Sequence, residues 1–205
     1  MLAQLFMFWM ACGPGEDTEV GEPPAGYSDA GSGSAAEGDT GFVAYASDGE
    51  SVERVDPPRY LGLWYEIATT PGQQQSFCSG TMAEYSLIDD ETIGVTNRCY
   101  IGGLDGRLNE AQATARPLDD TFARLMVDFG FGGEAPYTVV DLVETPDDEP
   151  YRYATVKSGT RQFWILSRTA QMPADMYETL LDRIEDRGGD SSRLIETDQP
   201  DISNE

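Results

Sequence analysis

The residues of this 205-residue chain able to do chemistry are few: cysteines at 12, 78 and 99, a lone carboxylate at Glu66, and no histidine. Without histidine there is no histidine-dependent triad, no histidine-ligated zinc and no haem held by a proximal histidine. A nucleophilic cysteine would lack the base that activates it. Glu66 lies in the run Tyr60–Thr70, YLGLWYEIATT, among apolar neighbours. On a strand it shares a face with Trp64, and a carboxylate buried there needs a partner or a raised pKa. A hydrogen-bonded structural acid is the plainer expectation. General acid–base work on an apolar substrate, by Glu66 or Asp141, is the alternative. Nothing in the sequence asks for a metal or another cofactor.

The formal net charge of −24 narrows the partners. Phosphate binding through counterion release needs clusters of Lys and Arg, so nucleic acid is not expected. A bare anionic membrane would repel the chain, and attachment would need a lipid or a receptor. Residues 1–12 offer the lipid. Their apolar run is too short to cross a bilayer as a helix, and Trp9-Met10-Ala11-Cys12 has the shape of a lipoprotein cleavage site with Cys12 as the acylated residue. Two features depart from that pattern: no basic residue precedes the run, and Trp9 stands where Leu is usual. Gly13 in second place points to outer-membrane delivery, with the periplasmic side expected. If Cys12 carries lipid, Cys78 and Cys99 remain as a disulfide pair in an oxidising compartment. A hairpin turn near Asp90 brings them close, although the simplest register sets position 78 opposite 102, and a curl before Thr81 would close the gap. Two free buried thiols are the alternative.

The elements that must position these residues follow from composition and periodicity. Residues 13–56 are rich in Gly, Ser, Pro and acids, with no basic residue before Arg54. They read as a disordered, self-repelling tether. From 57 to 200 short alternating runs between turn signals predict an all-β domain, and 201–205 form a tail. The runs are Leu63–Thr70, Thr81–Ile88, Thr92–Ile101, Arg107–Arg116, Phe122–Phe129, Tyr137–Glu144, Tyr151–Lys157 and Gln162–Arg168. Short links give nearest-neighbour pairing, and eight strands close an antiparallel up-and-down β-barrel. One α-helix follows, with Pro173 at its first position and Gly188-Gly189 ending it. Its stripe of Met176, Leu180 and Ile184 should lie on the barrel exterior, with Asp182, Glu185 and Arg187 facing outward. Ser192–Thr197 is a candidate edge strand.

Alternation places Tyr85, Asn97, Ala111, Ala113, Leu125 and Val127 on inward faces together with Glu66. The alanines leave room where a solid barrel would need larger side chains. In the sixth run Tyr137 and Val139 share one face, but Asp141 interrupts it, and the face beyond is undecided. The resulting cavity would be mostly apolar with a few hydroxyls and amides.

YLGLWYEIA, then AEYSLIDDETIGVTNRC and FWILSRT, together resemble the lipocalin family, nearest the bacterial outer-membrane lipocalins that are similar to apolipoprotein D. The resemblance covers roughly 57–200. It implies that Gly62 and Trp64 form the Gly-x-Trp motif at the barrel base, with Arg168 covering the indole. It also implies a small hydrophobic ligand, a fatty acid or lysophospholipid, held for transport, storage or envelope lipid maintenance. That is a binding role rather than an enzymatic one. A cation near the mouth, such as Lys157, would be needed for an anionic head group, so neutral or zwitterionic ligands are preferred. A homodimer is left open.

Overall fold

The computed structural model describes residues 41–47, 49–71, 77–146 and 149–201. Its elements are α1 (Pro57–Tyr60), β1 (Gly62–Thr69), β2 (Cys78–Asp89), β3 (Thr92–Ile101), β4 (Arg107–Pro117), β5 (Arg124–Asp128), β6 (Glu134–Leu142), β7 (Tyr153–Ser158), β8 (Gln162–Ser167), α2 (Ala174–Asp186) and β9 (Ile195–Glu196). From β2 to β8 each strand pairs antiparallel with the next, β8 pairs with β1, and β1 closes on β2. This is a closed eight-stranded antiparallel barrel with one extra strand and a helix outside.

The closure is partial along its length. Gly62–Tyr65 pair with Met82–Tyr85 near the foot of the barrel, and beyond that point β1 and β2 separate. The C-terminal segment enters the gap: β9 pairs with Ala68 and Thr69, Thr197 N donates to Ile67 O, and Gly80 N donates to Asp198 O. Gln199 Nε2 donates to the carbonyls of both Glu66 and Thr81 at 2.8 Å. Backbone groups that a splayed seam would leave without partners are thereby satisfied.

Two apolar clusters share the barrel wall. The inner one holds Trp64, Tyr85, Leu125, Val127, Tyr137, Val156, Trp164 and Leu166. The outer one sets Ile67, Val140, Val143, Phe163 and Ile165 against Leu180 and Ile184 of α2. Both helix residues are fully buried, worth about 2 kcal/mol each. Pro173 is the N-cap of α2, one place earlier than the sequence suggested. Gly188, at φ 71°, takes the left-handed conformation that ends the helix. The register shifts between Val139 and Asp141, so the alternation of β6 breaks there. Tyr137, Val139 and Leu142 consequently join the inner cluster, and Val140 and Val143 the outer.

Three sequence expectations need correction. Residues 41–56 are not part of a free tether. Phe42 bridges Val143, Val52 N donates to Val139 O, and Val52 and Val55 are buried in the inner cluster. The acidic composition concealed four apolar anchors, Phe42, Tyr45, Val52 and Val55. Arg187 does not face solvent from the helix, because it turns back to Asp141. Lys157 sits at the mouth end of β7 opposite Phe163, whose ring belongs to the outer cluster, so alternation puts Lys157 outside the cavity. Cys12, with the rest of 1–40 and with 202–205, lies outside the described residues.

Candidate functional site: the barrel interior

The foot of the barrel is built around Trp64, which is fully buried. Its indole N–H donates to Tyr60 O at 2.8 Å, and the Arg168 guanidinium lies 3.9 Å over its ring. Arg168 comes from the residue after β8. Its Nη1 donates to Leu63 O at 2.7 Å, its Nη2 to Arg59 O and Tyr60 O at 2.9 and 3.1 Å, and its Nε to Tyr151 O at 3.0 Å. A planar fork of donors suits this role in a way that a lysine ammonium would not. Gly62 enters β1 at φ 95°, a conformation costly to any residue with a Cβ. The short helix α1, which the sequence reading did not anticipate, supplies Arg59 and Tyr60. Proline at its first two positions presets the backbone for a helix. Arg59 stacks 4.2 Å over Tyr151 and donates to Thr145 O at 2.8 Å.

Above this floor the described residues enclose an upper and a lower void. The upper one measures about 520 Å³ with its opening to solvent included, and the lower about 320 Å³ on the same basis. Glu66, Tyr85, Asn97, Val127 and Tyr137 line the upper void, and Leu125 and Val139 the lower. Ala111 and Ala113 are half-buried on β4, opposite Asn97 and Val95, but their methyl groups stop short of both voids. Thr81, Met82, Phe129, Val156, Trp164 and Leu166 also line the upper void. The wall contributed by β7 and β8 was missed because α2 covers its outer face. Strands apolar on both sides lose the period-two signal.

Glu66 is the one charged side chain among the residues lining the voids. It is 4% exposed, and its Oε1 accepts a hydrogen bond from Thr197 Oγ1 at 2.7 Å. Burial pushes its pKa from 4.5 up to about 7, and the Thr197 hydroxyl opposes that only in part. Asp141 is absent from the cavity. It points outward beneath α2, where Arg183 Nε lies 2.6 Å from Oδ1, Arg187 Nη1 2.8 Å from Oδ2, and the Tyr45 hydroxyl 2.7 Å from Oδ1. Burial alone would raise its pKa and lower those of the two arginines. Two guanidiniums in contact oppose that and keep the carboxylate charged. An acid–base role for Asp141 on a cavity-bound substrate is therefore excluded by its position.

At the junction of the two voids three tyrosines meet. Tyr60 and Tyr137 have their hydroxyl oxygens 2.6 Å apart, and Tyr85 donates to Tyr137 at 3.0 Å. The sequence pattern gave Tyr85 and Tyr137 but not Tyr60, which comes from α1 rather than from a strand.

Cys78 and Cys99 form a disulfide, with Cα atoms 5.4 Å apart. Cys78 stands opposite Ile101, and the register shifts between Ser79 and Met82. Gly80 there, at φ 58°, provides the local curl.

The lipocalin-like domain model matches residues 55–199. A lipocalin of Acanthamoeba polyphaga mimivirus is 37% identical over 153 residues, spanning 71% of this chain and 85% of the viral protein. Temperature-induced lipocalin-1 of Arabidopsis thaliana is 35% identical, spanning 74% and 83%. Outer membrane lipoprotein Blc of Escherichia coli K12 is 33% identical, spanning 73% and 82%. Among solved structures, lobster apocrustacyanin A1 superposes with a TM-score of 0.56 at 21% identity, covering 71% of this chain and 81% of that one. Insecticyanin of the tobacco hornworm gives 0.54 at 20%, covering 81% and 92%. These two likenesses concern the fold.

Proposed function

The chain belongs to the lipocalin family, whose members bind small hydrophobic ligands, and on that premise we propose that it carries one apolar lipid, a fatty acid or lysophospholipid, in the barrel. The observation that supports this best is the upper void, lined mainly by apolar and aromatic side chains with Thr81 and Asn97 beside them and, among the described residues, with Glu66 as its one ionisable carboxyl. Transfer of an acyl chain into such a site gains about 0.8 kcal/mol per methylene before association costs are subtracted. Glu66 and the outward-facing Lys157 leave an anionic head group without a cation in the cavity, so neutral or zwitterionic lipids should bind more tightly. Relatives named outer membrane lipoprotein support the further reading that Cys12 is acylated and that the protein works at the outer membrane in lipid maintenance.

Displacement of a fluorescent fatty acid tests the binding role. One site per chain with micromolar affinity is expected, and Val127→Trp should abolish uptake by filling the void while the barrel stays folded. A wild-type protein that takes up no probe would end the proposal. Equal affinity for free fatty acid and lysophosphatidylcholine at neutral pH would remove the preference for uncharged heads.

The raised pKa of Glu66 inside an apolar cavity gives an enzymatic reading its one specific support. Binding is favoured, because among the described residues the side-chain partner of that carboxyl is the Thr197 hydroxyl, in the C-terminal segment that seals the barrel. Glu66→Gln separates the two: a carrier keeps its affinity, whereas an enzyme keeps affinity and loses turnover.

A further inference from the structure

The phenol oxygens of Tyr60, Tyr85 and Tyr137 form a chain of three with Tyr137 in the middle. All three residues are buried, between 5% and 7% exposed, and their hydroxyls have no other hydrogen-bond partner among the described residues. Three hydroxyls bring three protons, and two oxygen–oxygen contacts use two of them. One donor is left over however the protons are arranged. It sits on Tyr137 if both neighbours donate to it, and at an end of the chain otherwise. A buried donor without an acceptor is costly, and a ligand that supplies one removes the cost.

The position of this donor is set by the barrel. Tyr85 and Tyr137 line the upper void, Tyr60 and Tyr85 the lower, so the cluster stands where the two meet, deep inside the barrel. A molecule reaching it must enter with its oxygen-bearing end first. The cluster itself is neutral: burial raises all three phenol pKa values, that of Tyr85 to about 12. The nearby guanidinium of Arg168 lies over Trp64 and donates to backbone carbonyls of the floor. A carboxylate at the cluster would be hydrogen-bonded by hydroxyls alone, feeling Arg168 only through space as Tyr60 and Tyr85 do, and would share the cavity with Glu66. An uncharged oxygen meets a donor without that penalty.

We propose that the Tyr60–Tyr85–Tyr137 cluster is a ligand-orienting anchor, selecting apolar molecules whose buried end carries one uncharged oxygen acceptor, a ketone or an alcohol. This rests on the binding of a small apolar ligand in the barrel argued above, not on that ligand being a fatty acid or lysophospholipid, and it names another chemical class and the direction of entry. A carboxylic acid would bind with its tail inward, or less well.

The test uses the whole barrel domain with its N-terminal segment, N-phenyl-1-naphthylamine as the fluorescent probe, and 2-decanone, 1-decanol and decanoate as competitors. The ketone and the alcohol should displace the probe at concentrations roughly tenfold below that of decanoate. The carbonyl stretch of bound 2-decanone should move to lower wavenumber than in hydrocarbon solvent. In the triple variant Tyr60→Phe, Tyr85→Phe, Tyr137→Phe, which leaves no phenol donor, the probe should still bind, the ketone should lose roughly tenfold in affinity, and the carbonyl shift should vanish. Tyr60→Phe should keep both properties, because two phenols sharing one contact still leave one donor over. An unshifted carbonyl in the wild-type complex, or full ketone affinity in the triple variant, would overturn the anchor while leaving the binding role standing. Absence of probe uptake by the wild type would overturn both.

Discussion

Glu66 and Asp141 are both buried carboxylates on barrel strands, and the wall between them gives them opposite chemistry. Asp141 faces outward, under α2, and meets two guanidiniums and a phenol. Glu66 faces inward and meets one hydroxyl. The first arrangement ties three segments together by charge: Tyr45 before the barrel, Asp141 in its wall and Arg183 and Arg187 after it. Phe42 and Tyr45 also lie 3.8 and 4.2 Å from the guanidiniums of Arg183 and Arg187. The second leaves a carboxyl whose charge the fold resists. Burial has the same direction in both places, and the partners decide which ionisation state the protein favours.

The largest effect should come from breaking the outer site. Asp141→Ala leaves two half-buried guanidiniums without their anion, and a loss of about 3 kcal/mol is expected in urea unfolding. A loss below about 1 kcal/mol would mean that the pair is balanced by its own desolvation. Asp141→Asn should be destabilising throughout about pH 5 to 8, since the charge it removes is present over that whole window.

Glu66 should behave in the opposite sense. Its folded pKa of about 7 exceeds the ordinary value of 4.5, so across that interval the folded protein keeps a proton that the unfolded chain has lost. Its contribution is therefore fully present below the ordinary value and fades as pH rises to the folded one, by roughly 3 kcal/mol in all. Glu66→Gln should abolish that slope and be the more stable protein at pH 8. Stability curves for the two proteins that run parallel through the interval would show that the carboxyl is not desolvated. The smallest effect belongs to the exposed surface. Arg98 bridges Glu84 and Glu110 at 2.7 and 2.8 Å, and Arg98→Ala should cost less than about 1 kcal/mol, declining with added salt.

The contrast also explains what could be read from the sequence. Strands covered on one face announce themselves: Tyr85, Asn97 and Val127 alternate with polar residues because β2, β3 and β5 have solvent behind them. Where α2 covers the wall the alternation disappears, and Val156, Trp164 and Leu166 could not be told from Phe163 and Ile165. The bulge after Val139 hid the facing of β6, since a period of two cannot survive an inserted residue. Tyr60 escaped because it reaches the cavity from a helix of four residues, too short to carry a period of its own. Phe42 and Tyr45 were lost in acidic surroundings, although two aromatics in so polar a stretch are the signal that would have found them.

The seam between β1 and β2 has a temporal meaning. Residues 195–199 fill it, and in chain order they come after all eight strands of the barrel. Until they dock, the domain is a cup with an open flank beside Glu66, and the last stitch closes a side entrance as well as a seam.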